Sequence, residues 1–446
     1  MGGYLAYTEY KNSGVEWLSE IPYSWNPIPL KFLVTTRKGV AFKSSDFIDT
    51  GCKVVKASDI KNNTILDSSF FIDESFRSIV PKAILKEGEI VISTVGSTPD
   101  VRNSAVGQVG VVPKYLNGSL LNQNTVVFSP ISSNFIENKF LFYILISTPY
   151  RDHLDLHAHG TANQASLNIT DMLNFQLALP SIEEQRSIAR FLDYKTAQID
   201  ALIAKKEALL EKLAEKRTAL ISQAVTKGCD PSVPMKDSGV EWIGEIPTHW
   251  QVIPLRYACE FLNRKRIPLS AEERGSMIER TYPYYGASGI IDYVENFIFE
   301  EPTILIAEDG ANLLSRSTPL AFIAKGQYWV NNHAHILKPL KGPFEYWASL
   351  LCVIEYDPWI TGAAQPKLTK ENLGGLHLPF PPKQEQEQIC HYISMQSAKI
   401  DPMIEKVRQA IAKLKEYRTA LITNAVTGKI DVRDIKLPEL DSVEAA

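Results

Sequence analysis

The sequence predicts an α+β fold in which two mixed α/β regions are joined by two long antiparallel coiled-coil helices, arranged as an internal pseudo-twofold, cyclic duplication. Three observations predict it. Residues 13–30 read SGVEWLSEIPYSWNPIPL and residues 238–255 read SGVEWIGEIPTHWQVIPL, identical at 12 of 18 positions at an offset of 225. Further along, Ile199-Asp200, Arg217-Thr-Ala-Leu-Ile221 and Ala224-Val-Thr226 recur as Ile400-Asp401, Arg418-Thr-Ala-Leu-Ile422 and Ala425-Val-Thr427 at an offset of 201. Each of these later blocks lies in a long segment with helical heptad spacing. Self-similarity at a fixed offset marks a duplicated structural unit.

The elements follow in order. Residues 1–30 carry the first shared block. Residues 31–180 are specific to the first half, with strand-like runs at Val54-Val55, Ile90–Ile92, Val109–Val112 and Thr125–Phe128. Residues 181–228 form a helix: Ser181-Ile-Glu-Glu184 fits a capping box, no Pro or Gly interrupts 183–226, and Gly228 supplies the stop. Residues 229–254 are a linker with the second shared block, and 255–380 are the second variable region, with runs at Ile304–Ile306, Leu320–Ile323 and His335–Leu337. Residues 381–428 form the second helix, with Pro382 suited to its first turn and Pro402 breaking it near the middle. Residues 429–446 are a tail. Both variable regions close on a similar segment, Gly160–Leu167 and Gly362–Leu368. An alternating strand follows in each, Phe175/Leu177/Leu179 and Leu376/Leu378/Phe380.

A heptad reading places Ile199, Lys206, Leu213 and Leu220 at a and Leu202 and Leu209 at d of the first helix. The second helix has Ile400, Val407, Leu414 and Leu421 at a and Met403 and Ala410 at d. Apolar e positions (Ile203, Leu210, Ile404, Ile411) widen the stripe. At ~1.5 Å per residue each helix spans roughly 65 Å. Matched heptads favour packing of the two helices on each other over packing of each on its own region. The short linker after the first helix makes the pair antiparallel.

Composition narrows the function. With 446 residues, 22% charged and 45% hydrophobic, the chain is ordinary globular material of two to four domains. The longest apolar run, Phe140–Ile146, is too short to cross a bilayer, and the amino terminus lacks a secretory pattern, so a cytoplasmic protein is expected. Five widely separated cysteines (Cys52, Cys229, Cys259, Cys352, Cys390) argue against a disulfide framework or a Cys-based zinc site. Net charge is −4, and residues 31–180 and 255–382 are each near neutral, so any nucleic-acid contact comes from local patches or a more basic partner. No phosphate loop, G-x-G-x-x-G, G-x-S-x-G, H-E-x-x-H or deaminase zinc motif occurs. The Asp/Asn-Pro-Pro-aromatic tetrapeptide of amino-methylating DNA methyltransferases is also missing. His153-Leu-Asp-Leu-His157-Ala-His159 has no anchoring Cys and reads as a solvated loop, with no metal assigned. No catalytic residue is assigned; a binding or scaffold protein is expected.

Several polar clusters are candidates for DNA contact. Asn331, Asn332, His333 and His335 follow Tyr328-Trp329 and precede a strand; Asn reads adenine bidentately and His donates to guanine, while the alternative is a turn that satisfies its own backbone. Arg264, Lys265 and Arg266 read as a phosphate clamp or a solvated loop. In the first half Asn122, Gln123 and Asn124 stand in the analogous place, with Arg37, Lys38, Lys43 and Lys56 as phosphate candidates. Glu308-Asp-Gly310 and Gly96-Ser-Thr98 read as glycine-containing loops after strands. Trp17, Trp25, Trp242 and Trp250 read as core anchors where the shared block meets the helices.

The combination resembles the specificity subunit of type I restriction–modification enzymes. The paired SGVEW…IP..W..IPL blocks carry the resemblance, as do the helix starts at Leu179–Gln185 and Phe380–Gln386 and the R-T-A-L-I-x-x-A-V-T helix ends. Within the second half Tyr284-Tyr-Gly-Ala-Ser-Gly289 and Trp329-Val-Asn-Asn-His-Ala-His335 add to it. The resemblance implies that 31–180 and 255–380 are target-recognition domains, each reading half of a bipartite site in double-stranded DNA. It implies that the helices set the spacing, on the order of one ~34–36 Å turn of the duplex, and dock two methyltransferase subunits. Those partners would carry S-adenosylmethionine, and motor–nuclease restriction subunits would use ATP and Mg²⁺; this chain itself would hold no cofactor. The alternatives are a coiled-coil scaffold whose variable domains bind proteins, and a stand-alone methyltransferase or nuclease.

Overall fold

The computed structural model describes residues 4–97, 106–161, 164–310, 312–316, 318–362 and 366–438. Ala162, Asn163, Ala363, Ala364 and Gln365 of the two closing segments, and Thr98 of the first glycine-containing loop, lie outside the described residues. The chain forms two compact units, Met1–Lys205 with Ala410–Ala446, and Lys206–Gln409.

In the first unit, β1 (Val34–Lys38), β2 (Cys52–Val55), β3 (Ile90–Ser93), β4 (Val109–Val111), β5 (Leu120–Leu121) and β6 (Thr125–Pro130) carry the architecture. One sheet has the order β1–β6–β3–β4, antiparallel throughout, extended by the short strands Thr64–Ile65 and Ile60–Lys61. A second sheet pairs β5 parallel to β2. Ile90, Val91, Ile92, Val126, Val127 and Phe128 are all fully buried, which explains why these strands read as continuous apolar runs rather than alternating ones. Gly39 sits so close to the backbone of Asn122 that a Cβ there would overlap its carbonyl group. A long helix, α1 (Ile182–Lys227), follows.

The second unit repeats this plan. Its strands are β7 (Cys259–Phe261), β8 (Tyr282–Gly286), β9 (Thr303–Ala307), β10 (Ala321–Ala324), β11 (Trp329–Val330) and β12 (Ala334–Pro339), and its sheet order is β7–β12–β9–β10. β11 lies parallel to β8 as β5 lies parallel to β2. The registers match as well: Val34 faces Pro130 and Cys259 faces Pro339, while Ile92 faces Val126 and Ile306 faces His335. The variable regions therefore share a framework although their sequences have diverged. The second long helix is α2 (Lys383–Val426).

The shared blocks hold each unit closed. Asn26–Pro29 pairs antiparallel with Gln176–Leu179, and Gln251–Pro254 with His377–Phe380, so the repeated W-x-x-I-P-L segment is one strand of a ribbon whose other strand leads into the long helix. Trp25 and Trp250 are fully buried beside Gly428 and Gly228, both in the left-handed conformation that ends the helices. Trp250 Nε1 donates to Glu385 Oε2 at 2.8 Å. Trp17 differs from the expected core anchor: it is 40% exposed and stacks on Phe175.

The helices run antiparallel within each unit. In the first, Arg418 Nη2 donates to Asp200 Oδ2 at 3.1 Å, and further along Arg433 lies 3.9 Å from Glu184. In the second, Arg217 Nε donates to Asp401 Oδ1 at 2.9 Å. The buried stripe follows a and e: Ile199, Ile203, Leu213, Ile400, Ile411 and Leu421 are buried, with Leu220, Val407 and Leu414 half-buried. The expected d residues Leu202, Leu209 and Met403 are instead 43%, 42% and 51% exposed. The physical reason is spacing. A stripe stepping 4-3 from a to e fits a heptad as well as one stepping 3-4 from a to d, and the partner decides between them. Pro402 does not break α2, which is continuous through it; Pro402 and Ala398, whose carbonyl loses its helical partner, are both exposed, so water can satisfy that carbonyl.

Candidate nucleic-acid interface

The same turn stands at the same place in both units. Between β5 and β6, Asn122 Oδ1 accepts from Asn124 N at 3.3 Å; between β11 and β12, Asn331 Oδ1 accepts from His333 N at 2.8 Å. Asn122 N donates to Val55 O and Asn331 N to Tyr285 O, the corresponding strand ends. Asn124 O accepts from Thr94 N, and His333 O from Glu308 N; in turn Thr94 O accepts from Leu167 N and Glu308 O from Leu368 N. The two closing segments therefore dock on the backbone residue that also holds the turn. Asparagine suits this position because its short side chain bonds the backbone two residues on.

In the first unit Gln123, Lys38 and Lys43 are exposed, while Asn122 and Asn124 are half-buried. Arg37 is committed inside the protein: Nη2 bonds both oxygens of Glu89, at 2.7 and 2.6 Å, and Nη1 donates to Lys82 O and Ile84 O. Its expected role as a phosphate contact yields to this pairing, because a guanidinium that spans a carboxylate and two carbonyls has little left to offer DNA. Lys56 lies over the rings of Phe47 and Phe70, 4.5 and 2.9 Å from their centroids, and burial there lowers its pKa against the opposing pull of Asp59.

In the second unit the turn rests on a charged network. Arg266 Nη1 donates to Glu308, to Asn332 O at 3.1 Å and to Ala334 O at 3.0 Å, and its Nε donates to Asn263 O. Lys367 Nζ lies 3.3 Å from the other Glu308 oxygen. Burial pushes the Glu308 pKa up, but the Arg266 hydrogen bond and the surrounding positive charge outweigh it and hold the carboxyl below the usual glutamate value. His335 is fully buried; Nε2 donates to Leu368 O at 2.7 Å and Nδ1 accepts from Asn263 Nδ2 at 2.8 Å. Burial lowers its pKa, against raising contributions from the Leu368 carbonyl and Glu308, so the ring is neutral. Arg266 and His335 therefore build the turn from inside, whereas Asn332, His333, Arg264 and Lys265 are exposed around it. Asn331 is 6% exposed and is the turn's own cap. Glu308 and Asp309, legible beforehand only as part of a loop, are the acidic centre of this arrangement; a Glu-Asp pair directly after an apolar strand is the signal that marks them.

The comparisons with known proteins agree with this architecture. A sequence model described as the type I restriction modification DNA specificity domain matches residues 22–212 and 247–412, once in each half. A Methanocaldococcus jannaschii protein assigned as the MjaX type I restriction enzyme specificity subunit is 24% identical over 93% of this chain and 96% of its own length. The type I restriction enzyme StySPI specificity subunit of Salmonella potsdam is 20% identical over 92% of this chain and 90% of its own. A chain solved in work on complex assembly and conformational transition of the type I R-M system superposes with a TM-score of 0.66 at 15% identity, covering 92% of this chain and 99% of that one, which shows a common fold. Two matched copies of the specificity domain, spanning most of the sequence, place this chain in the type I restriction–modification DNA specificity family.

Proposed function

We propose that each unit reads one half of a bipartite sequence in double-stranded DNA, and that the chain delivers this recognition to the methyltransferase and restriction subunits of a type I system. The observation that carries the reading is the repeated asparagine-capped turn, set at the same point of the same four-stranded framework in both units. A duplicated reader calls for a two-part target. Gln123, Asn332 and His333 are the proposed base contacts, and Lys38, Lys43, Arg264 and Lys265 the proposed phosphate contacts. Two methyltransferase subunits binding S-adenosylmethionine would perform methylation, and restriction subunits using ATP and Mg²⁺ would perform cleavage, leaving this chain without catalysis of its own.

The test is to combine the chain with a methyltransferase subunit of its system and S-adenosylmethionine, and to map methylated adenines across genomic DNA. The expected result is two fixed half-sites at a constant gap, with no methylation by the chain alone. Methylation without sequence preference would overturn the reading, and methylation by the isolated chain would make it an enzyme. The scaffold alternative, in which the variable domains bind proteins, predicts no effect of this chain on where methylation falls.

A further inference from the structure

Where the two units part company, the difference is chemical and local. The residue ending the turn is Asn124 in the first unit and His333 in the second, and the residue following Thr94 is Val95 where the residue following Glu308 is Asp309. His333 is half exposed, and its Nδ1 lies 2.9 and 3.0 Å from the two oxygens of Asp309, whose side chain is 16% exposed. An ionised carboxylate only accepts hydrogen bonds, so Nδ1 carries the hydrogen and Nε2 is the atom turned away from the acid. An aspartate beside a DNA-reading turn is otherwise unfavourable, because it faces phosphate charge. Its presence beside histidine, and its replacement by valine where the residue ending the turn is asparagine, make sense if histidine needs a partner to fix its tautomer and asparagine does not.

Building on the DNA-recognition reading above, we propose that Asp309 is a positioning residue for specificity: it fixes the ring of His333 so that Nε2 is the atom presented to one base pair of the second half-site. With the ring hydrogen held on Nδ1 by Asp309, Nε2 is an acceptor, suited to the exocyclic amine of adenine or cytosine. The titratable and charged groups around the turn are the Asp309 carboxylate, Glu308 on the preceding residue, Arg266 bonded to the carbonyls of Asn332 and Ala334, Lys367 with its ammonium 3.3 Å from Glu308, and the neutral His335 within the sheet. Among these only Asp309 is within hydrogen-bonding distance of the His333 ring.

The experiment uses the chain assembled with its methyltransferase subunits, on a duplex library randomised in the second half-site. Asp309→Ala and His333→Ala are each expected to relax discrimination at one and the same base pair by about fivefold to a hundredfold. The double variant should lose no more than either single one, and the first half-site should be unchanged. Asp309→Asn, nearly isosteric, is the control against a folding defect and should also relax the preference, because its amide supports either ring orientation. Unaltered preference in Asp309→Ala and Asp309→Asn, or a uniform loss on all sequences, would overturn the proposal while leaving DNA recognition intact. Absence of any sequence preference in the unmodified complex would instead defeat the recognition reading itself.

Discussion

Arg266 and Glu308 form a largely buried ion pair behind the Asn331–His333 turn, with side chains 17% and 12% exposed. The guanidinium also holds the carbonyls of Asn332 and Ala334, so one side chain fixes both sides of the turn's exposed tip. Removing one member of such a pair costs far more than the pair contributes as a whole, because the remaining charge is stranded. Arg266→Ala is expected to destabilise the second unit by about 3 kcal/mol. Arg266→Lys should recover little, since an ammonium cannot reach the same set of acceptors from one planar fork. Urea unfolding of the two variants measures both effects.

The exposed basic and amide residues should separate into two classes. Alanine at Lys38, Arg264 or Lys265 is expected to weaken binding to all sequences alike and to reduce the salt dependence of affinity. Alanine at Gln123 or Asn332 should relax preference at a single position at a cost of ~1–3 kcal/mol, in the first and second half-sites respectively. Titrations at several salt concentrations against matched and singly mismatched duplexes distinguish the classes.

Acid should weaken the fold in two stages. Burial lowers the pKa of His335, and likewise that of His153, where the Asp171 carbonyl only partly opposes it. The unfolded chain then binds more protons than the folded one below the ordinary histidine pKa of about 6.5, so stability is full above that pH and falls as pH drops below it. Glu308, also depressed, adds a second loss beginning below the ordinary glutamate value of about 4.3. Urea midpoints should be flat from pH 7 to 8 and decline from about pH 6.5 downward. A combined His335→Gln, His153→Gln variant should lose the upper stage and keep the lower.

The interhelical pairs should count for little energetically. Arg217 and Asp401 are 42% and 52% exposed, and solvent screens the attraction. Asp401→Ala is expected to cost at most ~1 kcal/mol, and less in high salt. Asp401→Arg should cost more than Asp401→Ala through like-charge repulsion, and adding Arg217→Asp should restore stability. Thermal unfolding of the three variants checks the order.

Much of the fold is legible in the sequence because it is written twice. The repeated W-x-x-I-P-L segments, the helix ends and the correspondence of Asn122 with Asn331 all follow from matching the halves, and the strands at Ile90–Ile92 and Ile304–Ile306 follow from their apolar runs. The rest depends on direction, which a local pattern does not encode. Arg264, Lys265 and Arg266 look alike in a row, yet only the last turns inward, because a single acceptor set at Glu308, Asn332 and Ala334 lies within its reach. His335 reads as a polar residue near a turn, but as the second residue of β12 it points into the sheet, facing Ile306. Leu202 and Leu209 fit the stripe by spacing and fall outside it by geometry.

The ion pairs Asp200–Arg418 and Arg217–Asp401 are one interaction written twice, since Asp200 and Arg217 of α1 correspond to Asp401 and Arg418 of α2. Each helix thus carries both members of the bond it makes with the other. It follows that α1 is complementary to a second α1 laid in the opposite sense, with Asp200 facing Arg217 of its twin and the apolar a and e residues meeting their own copies. A fragment ending before the second shared block would therefore be expected to self-associate into a symmetric homodimer. Such a dimer would present the first reader twice, and by that symmetry its target would be a palindrome.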